Sequence, residues 1–237
     1  MKNPRIFLLL AGILGALVLL AACGGGDDTK SGGTATSVGA SPGTPTPAVG
    51  TPLRTIPAPS PSVNPSKCPP ATGTAPEAKV KTYPAAPEMT IDPTKKYTAT
   101  VKTVRGDFTI ELMPDVAPKH VNSFVFLAKD GYYDGVKFHR VVPGFVAQTG
   151  DPTGTGQGGP GYQLDLEPSN VKFERGVVGM ARTNDPNSAG SQWFVTFGNA
   201  EHLTGSYTVF GYVSKGMDVV DCIAQGEAIT GIDIAQS

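Results

Sequence analysis

The segment FHRVVPGFVAQTGDPTGTGQGG, residues 138–159, decides how the rest of this chain is interpreted. Two short apolar runs, separated by Pro143-Gly144, are typical of neighbouring β-strands. They bring Arg140 close in sequence to an aromatic ring, Phe145, and an amide, Gln148. The segment thus offers a cation beside an apolar pocket, but it has no nucleophile with a partnered base.

Outside this segment the pattern is that of a small β-protein. Alternating apolar residues on both sides of Gly106 predict a hairpin from Tyr97 to Leu112. Helices are predicted from Pro118 to Gly131 and from about Gly216 to Ala224. The other predicted strands are Lys137–Val142, Gly144–Gln148, Val177–Arg182, Gln192–Phe197, Val209–Val213 and Gly231–Ile234. Many short strands with two helices favour a closed or nearly closed antiparallel β-barrel.

The first residues have the features of a targeting segment. Lys2 and Arg5 precede an apolar run, Ile6 to Leu20, that is short for a membrane span. The tetrapeptide that ends at Cys23, Leu-Ala-Ala-Cys, resembles a bacterial lipobox, which implies a signal peptide over residues 1–22 and lipidation of the Cys23 thiol. An uncleaved anchor helix is the alternative. Both interpretations predict a protein anchored to the cell membrane on its extracytoplasmic side.

Composition divides the remaining chain into two parts. Residues 23–82 are rich in Gly, Ser, Thr and Pro and predict a disordered linker. Residues 83–237 have the size and apolar content of one domain, for which a monomer is expected. The formal net charge of −1 gives no electrostatic argument for a nucleic-acid partner.

Several other motifs favour structural explanations. Gly154, Gly156 and Gly159 satisfy G-x-G-x-x-G, but Pro160 prevents a following helix, so a surface loop is predicted. The three histidines fall on a predicted helix, strand and loop without ligand spacing, so neither a metal nor a cofactor is expected. Asp151 and Glu167 are interpreted as loop residues, and the Arg-Gly-Asp triplet at 105–107 as a hairpin turn.

The cysteines other than Cys23 leave two interpretations. An oxidising compartment would permit a bridge between Cys68 and Cys222. Val219, Cys222 and Ile223 nevertheless share one apolar face at helical spacing, which favours a buried free thiol at Cys222.

Arg140 is the strongest candidate for a functional side chain. Strand alternation places it on the same face as Phe138 and Val142, where burial of a cation is costly unless the site is open or paired. An ion pair with a neighbouring carboxylate is the structural alternative. The nearby Phe145 and Gln148, with Gln192 and Phe194 farther along, favour a binding site instead.

These residues, together with Met180-Ala181-Arg182 and Gly190–Phe194, resemble the cyclophilin family of peptidyl-prolyl isomerases over about Tyr97 to Ala235. The resemblance implies an eight-stranded antiparallel barrel capped by two helices, with Arg140 as the catalytic residue. It also implies that substrate is bound by Phe145, Val146, Gln148, Ala181, Arg182, Gln192, Phe194, His202, Leu203 and Tyr207.

Three positions depart from the common family pattern. Val146 stands where methionine is frequent, His202 where many members have tryptophan, and Tyr207 where many have histidine. The last two change the rim of the implied pocket and leave cyclosporin affinity open. The implied activity is isomerisation of X-Pro bonds in exported unfolded proteins, and a membrane-tethered chaperone or scaffold that binds proline-containing peptides with little catalysis is the alternative.

Overall fold

A β-hairpin begins the folded region, as its alternating sequence predicts. Strand β1, Tyr97–Thr103, pairs with β2, Gly106–Leu112, and every second side chain of β1 is buried. Gly106 has a φ of 137°, which a residue with a side chain rarely adopts. The computed structural model describes residues 56, 57, 62, 68 and 70–237, so the predicted signal peptide and Cys23 lie outside the described residues.

Eight antiparallel strands form one curled sheet in the order β3-β4-β6-β5-β7-β2-β1-β8. The remaining strands are β3 Arg140–Val142, β4 Val146–Thr149, β5 Val177–Met180, β6 Trp193–Thr196, β7 Val209–Lys215 and β8 Ile229–Gln236. The mainly β, eight-stranded prediction is confirmed. The prediction of a closed barrel is not confirmed, because the sheet is an open half-barrel with β3 and β8 as its edges.

Two α-helices accompany the sheet. Helix α1, Pro118–Lys129, has proline in its first turn and is followed by Gly131 at a φ of 65°. The short α2, Met217–Asp221, packs against β2. Both helices therefore occur where the sequence predicts them, although α2 is shorter than expected. No helix among the described residues combines the length and the apolar character that crossing a membrane requires.

The apolar residues form two clusters. The larger cluster fills the concave side of the sheet and includes Trp193, Phe124, Phe138 and Phe210. The smaller cluster includes Val146, Phe173, Phe194 and Leu203. Consecutive residues of β4 and β6 contribute to different clusters, because side chains alternate between the two faces of a strand. The smaller cluster therefore lies on the outer face of the sheet.

A disulfide joins Cys68 to Cys222, with their Cα atoms 5.4 Å apart. The expectation of a free thiol at Cys222 is therefore wrong. Its sequence argument was correct about burial, since only 8% of Cys222 is exposed. A buried position on an apolar face does not exclude a bridge when a second cysteine reaches it from 154 residues earlier in the chain.

Residues 70–96, which we call the N-terminal strap, run along the domain before β1. Thr72 N–H donates to the Val104 carbonyl at 2.9 Å, and Tyr83 N–H donates to the Pro160 carbonyl at 2.8 Å. Closer to β1, the Thr90 N–H donates to Asn122 Oδ1 at 2.9 Å. The strap thus contacts the tip of the first hairpin, the glycine-rich loop and helix α1 in turn.

Candidate functional site

One row of residues crosses four neighbouring strands on the outer face of the sheet. Arg140 of β3 pairs with Gln148 of β4, and Gln148 pairs with Phe194 of β6. Phe194 in turn pairs with Gly179 of β5. Cross-strand partners point to the same face, so the cation, the amide and the aromatic ring are neighbours although 54 residues of sequence separate the first from the last.

These residues open onto a pocket of about 230 Å³. Its lining consists of Arg140, Phe145, Val146, Gln148, Ala181, Arg182, Phe194, Leu203 and Tyr207. The structure thereby brings together nine of the eleven side chains singled out from the sequence. The other two lie beside it: His202 stacks on Phe145, with ring centroids 5.6 Å apart, and Gln192 bonds to Gln148.

The apolar wall of the pocket is the exposed side of the smaller cluster. Phe194 stacks on Phe173 with their centroids 5.6 Å apart and meets Tyr207 edge-on at 6.0 Å. This packing requires a glycine on the adjacent strand, since a Cβ at Gly179 would lie 2.6 Å from Phe173 and 2.7 Å from Phe194. The wall is therefore held by close packing beneath it.

Arg140 remains exposed at the edge of this pocket. Its guanidinium carbon lies 5.8 Å from the centroid of Phe145, and its Nη1 donates to Gln148 Oε1 over a long 3.4 Å. None of the ion pairs among the described residues involves Arg140, so the alternative of a structural salt bridge is not supported. The guanidinium is available to a ligand.

Phe138 does not share the environment of Arg140, contrary to the prediction from strand alternation. Phe138 is fully buried in the larger cluster, whereas Arg140 is exposed. The reason is that β3 begins only at Arg140: the backbone of Phe138 bonds instead to Glu227 and Gly226. The chain therefore changes partner between the two residues.

A chain of amides connects Arg140 to the glycine-rich loop. Gln148 Nε2 donates to Gln192 Oε1 at 3.0 Å. Gln192 Nε2 donates to the carbonyls of Gly156 and Gly158, each at 2.9 Å. Because the carbonyls can only accept, they fix the orientation of Gln192, which then fixes Gln148 with its oxygen towards Arg140.

Asp151 lies in a loop, as interpreted from the sequence, and it also holds in place the loop that carries those carbonyls. It is fully buried and accepts hydrogen bonds from the backbone N–H groups of Thr153, Gly156 and Gly158 at 2.7–3.0 Å. Burial alone would raise the pKa of Asp151, but the bonds from Thr153, Gly158 and Gly156 outweigh it and lower the pKa to about 2. The loop is organised by a buried carboxylate.

Glu167 also has a role that its sequence context does not indicate. It accepts from the N–H groups of Lys119 and His120 at 3.1 and 3.0 Å, where α1 leaves donors unpaired. It also meets His120 Nδ1 at 2.6 Å. Burial raises the pKa of Glu167, yet these bonds outweigh it and lower the pKa. The carboxylate partner of His120 thus comes from 47 residues farther along the chain.

The remaining polar residues add no metal centre within the part of the chain that the structure describes, where no three His, Cys, Asp or Glu side chains come together. His139 packs next to Gly156, and burial lowers the pKa of its imidazole.

Arg182 lies 4.4 Å above the ring of Tyr207 and donates to the Ser206 carbonyl at 2.9 Å. These contacts fix the part of the pocket rim that Arg182 and Tyr207 form.

A second, larger cavity of about 860 Å³ adjoins the first. The two share Gln148, Ala181 and Arg182 in their linings. The rest of its lining comes from Thr82, Gly156–Gln163, Thr183, Ser188 and Gly190–Gln192. An extended ligand can therefore occupy both cavities at once by crossing Ala181 and Arg182.

Sequence reasoning missed three contributors to the site: Gly179, Asp151 and Thr82. The Asp151-x-Thr153 pattern, with an acceptor two residues before a polar donor, is a turn signal that could have indicated a structured loop. No local signal marks Gly179 or Thr82, because their importance arises from packing against distant segments.

Comparison with known proteins places the folded region in a well-defined group. Residues 98–234 match the family model described as cyclophilin type peptidyl-prolyl cis-trans isomerase/CLD. A probable peptidyl-prolyl cis-trans isomerase of Brucella suis is 48% identical over 141 residues, covering 54% of this chain and 72% of that one. A peptidyl-prolyl cis-trans isomerase of Helicobacter pylori is 41% identical over 162 residues, covering 67% of this chain and 97% of that one.

Solved structures that resemble this chain belong to the same family as these relatives. A crystal structure of a Cryptosporidium parvum cyclophilin type peptidyl-prolyl cis-trans isomerase has a TM-score of 0.56 and 31% identity, covering 60% of this chain and 99% of that one. A second crystal structure of the same protein, in the presence of the dipeptide Ala-Pro, has a TM-score of 0.56 and 32% identity over 59% and 99% of the two chains.

Proposed function

Because the chain belongs to the cyclophilin-type family and is a peptidyl-prolyl cis-trans isomerase, we propose that the 230 Å³ pocket beside Arg140 is its active site. The observation that carries this proposal is the juxtaposition of an exposed guanidinium, which has no ion-pair partner among the described residues, with an apolar pocket and an oriented amide. The Ala-Pro dipeptide in the crystals of the related Cryptosporidium protein is consistent with a ligand of this kind.

The reaction needs little more than these groups. Rotation of a prolyl bond must break amide resonance, with a barrier of about 18–20 kcal/mol. As the bond twists, the prolyl nitrogen recovers a lone pair, and a donor aimed at it is worth more in the twisted state than in the planar one. Catalysis requires this difference between transition state and ground state. Arg140 is the donor in the proposed mechanism.

The other residues seat the substrate. Phe145, Val146, Phe194 and Leu203 receive the proline ring, whose burial is favourable by about 25 cal/mol per Å². Gln148 and Gln192 hold the neighbouring backbone, so that only one side of the bond rotates. Ala181 and Arg182 border the path of the peptide, and His202 and Tyr207 form its rim. No proton is transferred in this mechanism, and none of its steps uses a cofactor.

Exchange spectroscopy on a short X-Pro peptide tests the proposal. Wild-type protein at catalytic concentration should broaden or exchange the cis and trans resonances, whose uncatalysed interconversion takes tens to hundreds of seconds. Arg140→Ala should lower this rate by about 10²–10³, the usual cost of removing one stabilising donor. Arg140→Lys keeps the charge without the planar guanidinium and serves as a control. An Arg140→Ala protein as active as wild type would refute the role of Arg140.

Binding and catalysis are separated by the same variants. If the protein acted only as a proline-peptide-binding chaperone or scaffold, peptide resonances would shift on binding without exchange between the isomers. Arg140→Ala would then change the affinity for the peptide, and neither the wild-type protein nor the variant would accelerate isomerisation. Titration of the peptide with both proteins distinguishes these outcomes.

We also propose that the isomerase is exported and lipid-anchored, with a signal peptide over residues 1–22, a linker over 23–82 whose last part, residues 70–82, belongs to the strap and contacts the domain, and clients among exported unfolded proteins. The lipobox-like sequence at Cys23 supports this proposal, and so does the Cys68–Cys222 disulfide, because disulfides persist in oxidising compartments. Metabolic labelling with a fatty-acid analogue should mark wild-type protein and spare Cys23→Ser. Equal labelling of both would refute lipidation at Cys23.

Closure of the barrel is a related proposal. The segments just before the two edge strands are joined by a bridge between Lys137 and Ala228, and Phe138 N–H donates to the Glu227 carbonyl at 2.8 Å. These contacts support a barrel that closes within one chain. Slow amide exchange at Phe138, comparable to that of central strands, is expected, and rapid exchange there would contradict it.

A further inference from the structure

Part of the larger cavity is built from residues that precede the family domain. Thr82 belongs to the N-terminal strap, whereas the family model matches only residues 98–234. Thr82 nevertheless lines the 860 Å³ cavity, together with Ala181, Arg182 and Thr183. The strap is therefore part of the groove wall.

Specific contacts hold the strap at this position. The Tyr83 N–H donates to the Pro160 carbonyl at 2.8 Å, which ties the strap to the glycine-rich loop. The Tyr83 hydroxyl donates to Asp130 Oδ2 at 2.7 Å, and its ring lies 5.2 Å from that of Phe126 and 6.4 Å from that of Tyr162. Thr82 is thus presented by an anchored backbone and not by a free tail.

The chemistry of the cavity indicates what it receives. Apart from Arg182, its lining residues are uncharged, and they supply hydroxyl and amide groups from Thr82, Gln157, Gln163 and Ser188. Arg182 already donates to the carbonyls of Ser206 and Thr183. Neutral groups of this kind bond to hydroxyl and amide side chains, whereas a charged side chain would lose hydration without gaining a partner of opposite charge.

We propose that Thr82 is a specificity-determining residue, through which the strap selects substrates by an uncharged polar side chain flanking the proline. This inference rests on the proposed active site, because a peptide with its proline beside Arg140 reaches the larger cavity across Ala181 and Arg182. The hydroxyl of Thr82 bonds to that flanking side chain. The side chains of Gln, Asn, Ser and Thr are the favoured class.

Steady-state kinetics on two peptide series test the inference, with Gly, Gln, Lys or Glu placed at each position flanking X-Pro. Thr82→Trp narrows the cavity from an exposed position, where substitution has little effect on stability. Thr74→Trp is the matched control, since Thr74 is exposed in the same strap and lines neither cavity. Thr82→Val removes only the hydroxyl.

At one flanking position, Thr82→Trp should raise KM for the Gln peptide by about tenfold, a discrimination typical of one lost pocket contact. The KM for the Gly peptide should rise less, so the ratio of the Gln-peptide KM to the Gly-peptide KM increases relative to wild type. Thr82→Val should raise the same KM by a smaller factor, and Thr74→Trp should behave as wild type.

Two results would overturn the inference. One is equal KM values for Thr82→Trp and Thr74→Trp on every peptide, and the other is a uniform rise that includes the Gly peptides, which indicates an unselective block. Both results count against Thr82 only if the wild-type protein is active and Arg140→Ala lowers its activity. If Arg140→Ala is as active as wild type, the proposed active site is refuted instead, so failure of the inference and failure of the proposed function are distinguishable.

Discussion

Gln148 of β4 and Gln192, the residue immediately before β6, share a hydrogen bond of 3.0 Å, in which Gln148 is the donor. Gln192 could in principle present either end of its amide, but the carbonyls of Gly156 and Gly158 require its NH₂ group. The orientation of both amides is thereby decided before a substrate arrives. Such preorganisation reduces the free energy that ordering would otherwise cost on binding.

Replacing Gln192 with Leu should lower kcat/KM by about fivefold, since one oriented hydrogen bond contributes on the order of 1 kcal/mol. The reason is that Gln148 loses the acceptor that fixes its oxygen towards Arg140. Isomerisation of an X-Pro peptide followed by NMR measures the change. Gln236→Leu, on the exposed end of β8, is the control and should leave the rate as it is. Equal activity of both variants would contradict a positioning role for Gln192.

Asp151 should make stability depend on pH in the acidic range. Its pKa is lowered to about 2 in the folded protein, so the unfolded chain binds a proton first as the pH falls. The contribution of Asp151 to the free energy of unfolding is complete above its ordinary value of about 3.8 and is lost as the pH approaches 2. Urea unfolding at several pH values between 5 and 2 measures how steeply the free energy of unfolding falls with pH.

Asp151→Asn should flatten part of that slope and should also lower kcat/KM, because the loop that orients Gln192 loses its central acceptor. Asp165→Asn, a change of the same type at an exposed position, is the control. A slope that is identical in Asp151→Asn and wild type would show that another carboxylate is responsible.

Substitution of Gly179 by Ala should disturb the apolar wall. The new methyl group would lie 2.6–2.7 Å from the rings of Phe173 and Phe194, so one ring must move. Overpacking of this kind costs about 1–3 kcal/mol of unfolding free energy, and displacement of Phe194 should raise KM for proline peptides. Gly159→Ala, where nothing lies within 4 Å of the added atom, is the control for stability. A Gly179→Ala protein with wild-type KM would show that the added methyl group is accommodated without displacement of Phe194.

Removing the disulfide should lower the free energy of unfolding by about 2–4 kcal/mol, since it closes a long loop in the unfolded chain. The Cys68→Ser/Cys222→Ser double variant and urea unfolding test this expectation. Wild-type protein treated with a reductant should match the variant, while the variant itself should not respond. A response of the variant to reductant would mean that the effect does not arise from this bridge.

The parts of the fold that local spacing controls could be predicted. The glycine at 106, the proline at 118 and the glycine at 131 mark the ends of their elements as expected, because turns and helix termini depend on the conformation of single residues. The cluster around Arg140 was also predictable, although here the family resemblance connected segments that are far apart in sequence.

Long-range contacts could not be predicted in the same way. Burial of Cys222 was inferred correctly from helical spacing, but its partner lies in a segment whose composition resembles a linker. Asp151 and Glu167 look like loop residues until their donors, which come from the loop backbone and from α1, are brought to them by the fold. The change of partner between Phe138 and Arg140 likewise depends on the distant segment at Gly226 and Glu227.

The bridge from Cys68 to Cys222 also has a mechanical consequence. A pulling force applied to the chain before Cys68 passes through the sulfur atoms directly into the end of α2. The strap, which lies between Cys68 and β1, bears none of that tension, so Thr82 and Tyr83 keep their places against the groove. Tension applied to the chain before Cys68 is therefore not transmitted along the strap to the substrate groove.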